Sequence, residues 1–385
     1  MENSLLIVAA LSFFIALSPL LSKTFMIPVV VIEIALGIAG RHFGLFEKNE
    51  YFFIIAKVGF LFLMFLAGLE VNLKEFARAG SSVFKRVFFY FIILYSLALF
   101  MTFYFKLSFV YIVVFPIFSL GMIMALIKDY GKNEPWLNLA LVIGIIGEVI
   151  SIVALTVLSG AVSFGFGQSF YKAMLTLVMI ICAAILFFKA TRALFWWFPE
   201  AKKVIMPDID SKEQDIRFSM ALFFAMIALM LYLKIDMVLG AFFAGMFIAA
   251  FFSHKKDLHE KLSSFGFGFF APIFFVYVGS TLNLNYVLSS AILIHAAFIA
   301  STIVGIRLIG SFIAFYGHLG FKNTLLFALS DSMPLTFMVA AATLGLNAKA
   351  IDEFEYSSIV VASMLEAMTI MMIIKGVTSI YKRLN

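Results

Sequence analysis

The sequence predicts an all-α membrane protein of about thirteen transmembrane helices, and three observations predict this fold class. Of 385 residues, 64% are hydrophobic and 13% charged, whereas roughly a quarter are charged in an ordinary soluble domain. The mean hydropathy is +1.09, and apolar runs long enough to cross a hydrocarbon core of about 30 Å recur along the chain. These runs, such as 89–105, do not alternate between apolar and polar residues as membrane β-strands do. A water-soluble fold is excluded.

Hydropathy and helix-breaking residues place the predicted spans, numbered 1 to 13 in chain order, near 4–22, 25–41, 52–72, 84–105, 109–127, 137–160, 171–196, 217–234, 237–253, 264–281, 288–316, 321–345 and 357–380. With the N-terminus outside, twenty of the 28 Lys and Arg residues fall in cytoplasmic loops and six in external ones. This bias fixes the orientation by the positive-inside rule and accounts for the net charge of +6 without a nucleic-acid partner. We expect an integral protein of a bacterial inner membrane, with a cytoplasmic C-terminus.

A polar stretch near Pro199–Arg217 divides the chain close to its middle. We predict one membrane transporter domain over 1–385, with a first repeat at 1–160, a linker helix and cytoplasmic loop at 161–216, and a second repeat at 217–385. No regulatory nucleotide-binding domain is expected.

Charged residues inside predicted spans cost a few kcal/mol at the bilayer centre, so each needs a reason. Five positions qualify: Glu33, Glu148, Arg307, Asp331 and Glu366. They are either functional groups or buried ion pairs that hold helices together.

Proline interrupts two predicted spans. Span 5 contains Pro116 and Ser119, and span 12 contains Ser330, Asp331 and Pro334. Proline removes a helical hydrogen bond, which is tolerated in a membrane where the opened backbone lines a cavity. Hydroxyls and a carboxylate at these breaks favour an ion-lining role over a simple kink.

The breaks and the carboxylates share a spacing. Pro116 to Glu148 is 32 residues, and Pro334 to Glu366 is also 32, with an offset of 218 between the halves. Thirteen spans divide into six, a linker helix and six, so the halves would have opposite orientations in the membrane. Inverted repeats with discontinuous helices are the plan of many secondary transporters.

Four stretches in order carry a family resemblance: IPVVVIEIALGIAG at 27–40, VGFLFLMFLAGLEV at 58–71, LGAFFAGMFI at 239–248 and FFAPIFFVYVGSTLNL at 269–284. Over essentially the whole chain they resemble the cation:proton antiporter-2 family of sodium or potassium/proton exchangers. The resemblance implies thirteen helices, a dimerisation scaffold, and a mobile core in which helices 5 and 12 are broken where they cross.

In that family the cation and the proton compete for an aspartate in helix 6, usually preceded by a polar residue, and a basic residue in helix 11 faces the crossing. The matching positions here are Glu148, preceded by Gly147, and Arg307. The longer acid and the glycine mark a divergent subgroup, in which cation identity does not carry over.

We therefore predict a secondary transporter that exchanges Na⁺ or K⁺ for H⁺ by alternating access. Electroneutral exchange is expected because Arg307 cannot release a proton and Gly147 supplies no second acid. The predicted ion-binding and coupling residues are Glu148, Asp331, Ser119, Ser151 and Ser330. Glu148 would hold the transported monovalent cation, and Arg307 with Glu366 would stabilise charge at the crossing.

The expected partners are the lipid bilayer, the transported ions and a second copy of the chain, and no cofactor is expected. A sodium-coupled organic-anion transporter on the same fold is the main alternative. A channel, suggested by SFGFG at 163–167 and 264–268, and a membrane enzyme have less support, since a four-fold filter and a recognisable catalytic motif are both lacking.

Overall fold

The computed structural model describes residues 2–25, 27–46, 49–71, 81–131, 134–164, 167–198, 200, 204–207, 212–252 and 255–384. Within these ranges all regular structure is helical. The helices are α1 (Glu2–Phe25), α2 (Val29–His42), α3 (Glu50–Glu70), α4 (Ser81–Tyr104), α5 (Tyr111–Val114), α6 (Leu120–Tyr130), α7 (Pro135–Phe164), α8 (Gln168–Trp197), α9 (Gln214–Tyr232), α10 (Met237–Phe251), α11 (Lys256–Phe265), a π-helical turn (Gly266–Phe270), α12 (Ala271–Thr281), α13 (Leu284–Val287), α14 (Ser290–Asp331), α15 (Leu335–Asn347) and α16 (Glu353–Leu384).

Nine helical stretches in the described part of the chain are long and apolar enough to cross a membrane, so the all-helical membrane class is confirmed. Four predicted spans are not counted separately among the nine. Helices α2 and α10 have 14 and 15 residues, α5 and α6 are the halves of a broken span, and Ser290–Asn347 runs together two predicted spans. The total of thirteen crossings and the inverted repeat stay predictions.

The two predicted spans in Ser290–Asn347 are separated by a kink inside α14. Gly320 has φ 69° and ψ 176°, which departs from helical geometry. A positive φ of this size is favourable for glycine and costly for residues with a Cβ. The kink falls between predicted spans 11 and 12, at their predicted boundary near 316–321.

The chain forms two compact units. The first comprises Met1–Phe53, Lys74–Leu155 and Phe275–Asn385, and the second comprises Ile54–Leu73 and Thr156–Phe274. All the predicted site residues lie in the first unit. The division into repeats at 161–216 stays a prediction, and part of that linker lies outside the described residues.

In the first unit, α14 packs against α16 and α4, α15 packs against α16, and α1 packs against α2. Helices α2 and α12 meet at Gly37 and Gly279. A Cβ on Gly37 would overlap the carbonyl oxygen of Val276, and one on Gly279 would overlap that of Ile34. Both glycines belong to the stretches that carry the family resemblance, so this part of the resemblance has a packing cause: small residues let membrane helices approach closely.

In the second unit, α9 packs against α10, and α3 meets α10 at a second glycine crossing. A Cβ on Gly68 would overlap the carbonyl oxygen of Phe242, and one on Gly245 would overlap that of Phe65. The SFGFG segment at 264–268 lies on α11 and the π-helical turn, so those glycines are helical. The other SFGFG segment includes residues 165 and 166, which lie outside the described residues.

Candidate functional site

The helix of predicted span 5 stops at Val114 and restarts at Leu120. Pro116 lies in the gap, where the absence of its N–H removes a helical hydrogen bond. Ser119 is extended, with φ −149° and ψ 127°. The amide groups that start α6 are therefore available to other partners, and they carry the partial positive charge of a helix N-terminus.

The second break separates α14, which ends at Asp331, from α15, which begins at Leu335. Pro334 precedes α15. The neighbouring hydroxyls bond back to their own helix: Ser330 Oγ donates to the carbonyl of Phe327 at 2.8 Å, and Ser332 Oγ donates to that of Ala328 at 2.6 Å. These bonds use the hydroxyl protons and leave the oxygens as acceptors.

The two broken helices contact each other in an antiparallel arrangement. Helix α5 contacts α15, and α6 contacts α14. At one end, Ser108 Oγ donates to the carbonyl of Ala350 at 3.0 Å. Near the breaks, Ser119 Oγ and Thr336 Oγ1 each lie 3.9 Å from the point that a Cβ on Gly121 would occupy. The sequence did not single out Thr336, which brings a hydroxyl from α15 close to the first break.

Glu148 and Ser151 lie on α7, three residues apart and so on one helix face, and both are buried. The N–H of Leu120 donates to Glu148 Oε1 at 3.3 Å, and the N–H of Phe118 donates to Ser151 Oγ at 2.9 Å. The opened backbone of the first break is thus bound directly by two of the predicted ion-binding residues. A carboxylate at a helix N-terminus is stabilised by the helix dipole.

Arg307 is fully buried in α14 and binds the backbone of both breaks. Its Nε donates to the carbonyl of Asp331 at 2.8 Å, and the two terminal nitrogens donate to the carbonyls of Phe115, at 2.7 Å, and Ile117. The carbonyls of Phe115 and Ile117 follow the end of α5 and that of Asp331 ends α14, where helix dipoles place partial negative charge. One guanidinium therefore satisfies the carboxyl-terminal ends of both half-helices.

Asp331 is the counter-ion of Arg307. Its Oδ2 lies 3.7 Å from Arg307 Nε and accepts a 2.6 Å hydrogen bond from Tyr90 Oη of α4. Ser311 Oγ lies 3.5 Å from the same tyrosine oxygen. Because a buried ion pair needs these additional hydrogen bonds to offset desolvation, Asp331 is engaged in holding the arginine.

Sequence reasoning missed Tyr90 and Ser311. Ser311 follows Arg307 by four residues on the same helix, and that spacing could have identified it as a neighbour of the guanidinium. Tyr90 had no such signal, because it lies on a distant helix among twelve other tyrosines.

Glu366 on α16 is buried, and neither of its carboxyl oxygens has a hydrogen-bond partner among the described residues. The arginine's ion pair is with Asp331. That Glu366 stabilises charge at the crossing together with Arg307 stays a prediction.

The described residues thus form a helical bundle in which two broken helices contact each other around buried charged side chains. The model of the sodium/hydrogen exchanger transmembrane family matches residues 9–378, and the chain belongs to this family. The predicted family relationship is confirmed at this level.

Two proteins of known sequence are similar to this chain over most of its length. YjbQ of Bacillus subtilis strain 168, named as a candidate Na⁺/H⁺ antiporter, is 26% identical over 373 residues, which cover 89% of this chain and 57% of that protein. The chain thus spans somewhat more than half of that relative's length. A candidate Na⁺/H⁺ antiporter of Methanocaldococcus jannaschii is 25% identical over 384 residues, covering 95% of each protein.

A solved structure shows the same fold. The sodium proton antiporter MjNhaP1 of M. jannaschii at pH 8 superposes with a TM-score of 0.69, covering 98% of this chain and 97% of that one, at 15% identity. At this identity the likeness concerns the fold alone.

Proposed function

We propose that this chain exchanges a monovalent cation, Na⁺ or K⁺, for H⁺ by alternating access, and that Glu148 is the group for which the two compete. Protonated, this carboxyl has little affinity for a cation; ionised, it binds one. The bound cation or the bound proton neutralises the carboxylate while it is exposed alternately to the two sides of the membrane. The names of the relatives favour Na⁺.

The observation that carries the proposal is the position of Glu148 at the first break. The buried carboxylate lies at the N-terminus of α6, against the N–H of Leu120. Ser151 and Ser119 place hydroxyl oxygens in the same region, and the breaks add carbonyls. Oxygen ligands of these kinds suit Na⁺ and K⁺.

Electroneutral exchange is the stoichiometry that the charges support. Arg307 cannot deprotonate, and its charge is balanced by Asp331 at 3.7 Å. Gly147 carries no titratable group. One carboxylate then binds either one cation or one proton in each half-cycle, so no net charge moves.

The wider arrangement is part of the same proposal. We infer thirteen spans in two inverted repeats, joined by the linker at 161–216, with the N-terminus outside and the C-terminus in the cytoplasm of a bacterial inner membrane. The support is the equal 32-residue spacing in the two halves and the antiparallel contact of the broken helices. A homodimer is expected from the family resemblance.

Proteoliposomes containing a pH-sensitive dye test the exchange. A pulse of Na⁺ or K⁺ should move protons through the wild type and through Glu353→Gln, which removes an exposed carboxylate at the start of α16. Glu148→Gln should reduce exchange to the level of empty liposomes. If neither cation moves protons through the wild type, the exchange proposal fails; if Glu148→Gln keeps full activity, only the site assignment fails.

The stoichiometry needs a separate measurement. With the membrane potential set by a gradient of a permeant ion that the exchanger does not carry, the rate should stay the same at either sign of the potential. A rate that follows the potential would contradict one-for-one exchange.

A further inference from the structure

Part of one face of α7 packs against the first break. The face consists of Gly144, Gly147, Glu148 and Ser151, which follow the spacing of a single helix side. The two polar members bind the backbone of the break. Side chains of the break pack against the two glycines.

Gly147 receives the ring of Phe118. A Cβ on Gly147 would lie within 2.7 Å of three ring atoms, closer than real side chains approach each other. Gly144 receives Leu120 in the same way, since a Cβ there would lie 2.8 Å from Leu120 Cδ2. The space that a side chain at position 147 would need, beside Glu148, is therefore occupied by an aromatic ring from the break.

The Phe118 ring is held in place from several directions. It is 1% exposed, its centroid lies 5.1 Å from that of Phe91, and Arg307 Cζ lies 5.3 Å from its centroid. The Phe118 N–H is fixed by Ser151 Oγ at 2.9 Å. A guanidinium at this distance from a ring face is attractive, so the ring is coupled both to the arginine and to the face that carries Glu148.

We propose that Phe118 is a selectivity-determining residue of the exchanger: its ring excludes a polar side chain and water from the position beside Glu148, and so limits the oxygen ligands of the cation. This inference rests on the proposed function. With water excluded, a cation must replace its hydration shell with a fixed set of protein oxygens. The free energy of this replacement differs between Na⁺ and K⁺. Removing the ring admits water and reduces the discrimination.

The first test compares cations. In proteoliposomes the ratio of the Na⁺ and K⁺ exchange efficiencies, kcat/KM, is measured for the wild type, Phe118→Leu and Phe118→Ala. The ratio should approach one in that order, changing by about fivefold or more for the alanine, which corresponds to about 1 kcal/mol of discrimination. A loss of packing alone would lower both rates and leave the ratio unchanged.

The second test places a ligand in the vacated space. Gly147→Asn alone should yield little folded protein, because its side chain overlaps the ring. Combining it with Phe118→Ala should restore folding, and the pair should have a lower KM for the cation than the matched pair Gly147→Ala with Phe118→Ala, by about threefold to tenfold for one added amide oxygen. The matched pair restores packing without adding a ligand.

The results distinguish this inference from the proposed function. If the wild type exchanges cations for protons, but the Phe118 variants keep the wild-type cation ratio within twofold and the two paired variants share one KM, the inference is overturned and the exchange proposal stands. If Phe118→Ala does not fold, the ratio of Phe118→Leu and the KM values of the paired variants decide the question. If the wild type shows no exchange of cations for protons, the proposed function itself is contradicted.

Discussion

The two broken helices are matched in sequence but not in structure. In each half a proline precedes a carboxylate by 32 residues. Glu148 accepts a hydrogen bond from the N–H of Leu120 at the first break, whereas Glu366 has no hydrogen-bond partner among the described residues. Equal spacing has produced one carboxylate bound to a break and one that is not.

The residues between break and carboxylate explain the difference. With the offset of 218, Gly144 and Gly147 correspond to Ala362 and Leu365, and Ser151 corresponds to Thr369. The two glycines let the break pack closely against the first face, while the second face carries side chains at the corresponding positions. The Thr369 hydroxyl donates to the carbonyl of Leu365 on its own helix at 2.6 Å. We infer that close approach of the backbone, rather than the position of the acid in the sequence, favours Glu148 over Glu366 as the ion-binding carboxylate.

Replacing Gly147 with leucine, the residue at the corresponding position 365 of the second half, should abolish exchange. Gly147→Leu introduces the residue of position 365 where Phe118 now packs, so the break must move away and the bond between Leu120 and Glu148 must open. We expect no exchange above empty liposomes. The control is Leu365→Gly, which should lower helix stability by about 1 kcal/mol and leave exchange measurable. An active Gly147→Leu would show that close approach at position 147 is unnecessary.

Removing the arginine should cause the largest loss of stability. Arg307→Gln leaves Asp331 as an uncompensated buried charge, with a cost of about 3–5 kcal/mol. Thermal unfolding in detergent should show a strongly lowered Tm. Adding Asp331→Asn should recover much of that loss, because the pair is then removed together. If the double variant is no more stable than Arg307→Gln, Asp331 is not the arginine's counter-ion.

Loss of the tyrosine hydroxyl should have a moderate effect. Tyr90→Phe removes the 2.6 Å hydrogen bond to Asp331, and hydrogen bonds to charged groups contribute about 1.5–3 kcal/mol. We expect a Tm between those of the wild type and Arg307→Gln. In an Asp331→Asn background the same change should cost less, since the partner is neutral. An equal loss of Tm in both backgrounds would indicate that the tyrosine hydroxyl does not stabilise the fold through Asp331.

The helices and the two helix breaks could be predicted from the sequence. Hydropathy predicted a helix at each of these positions, most of them within a few residues of the observed bounds, because twenty-residue apolar segments have few alternatives in a bilayer. Pro116 and Pro334 identified the two places where the chain leaves its helix, because a missing N–H is a local property. Both signals can be read without knowing what packs against them.

The remainder depended on tertiary contacts. Nothing in the sequence shows that Arg307 binds carbonyls from both breaks, that Asp331 serves the arginine, or that Tyr90 reaches it from α4. Gly147 was recognised only as the absence of a polar neighbour, and the Phe118 ring that requires the glycine is visible only in three dimensions. Pairings between distant helices have no periodicity that a single sequence could display.

The smallest effect is expected at Glu366, and it tests the comparison most directly. Glu366→Gln keeps the size of the side chain, and no hydrogen bond to a described residue is lost. Exchange should stay within about twofold of wild type, in the range of substitutions that break no specific interaction. If Glu366→Gln instead abolishes exchange as Glu148→Gln does, the two halves are functionally equivalent despite their different packing. In that case a second acid titrates during transport, more than one proton is exchanged for each cation, and the rate must respond to membrane potential.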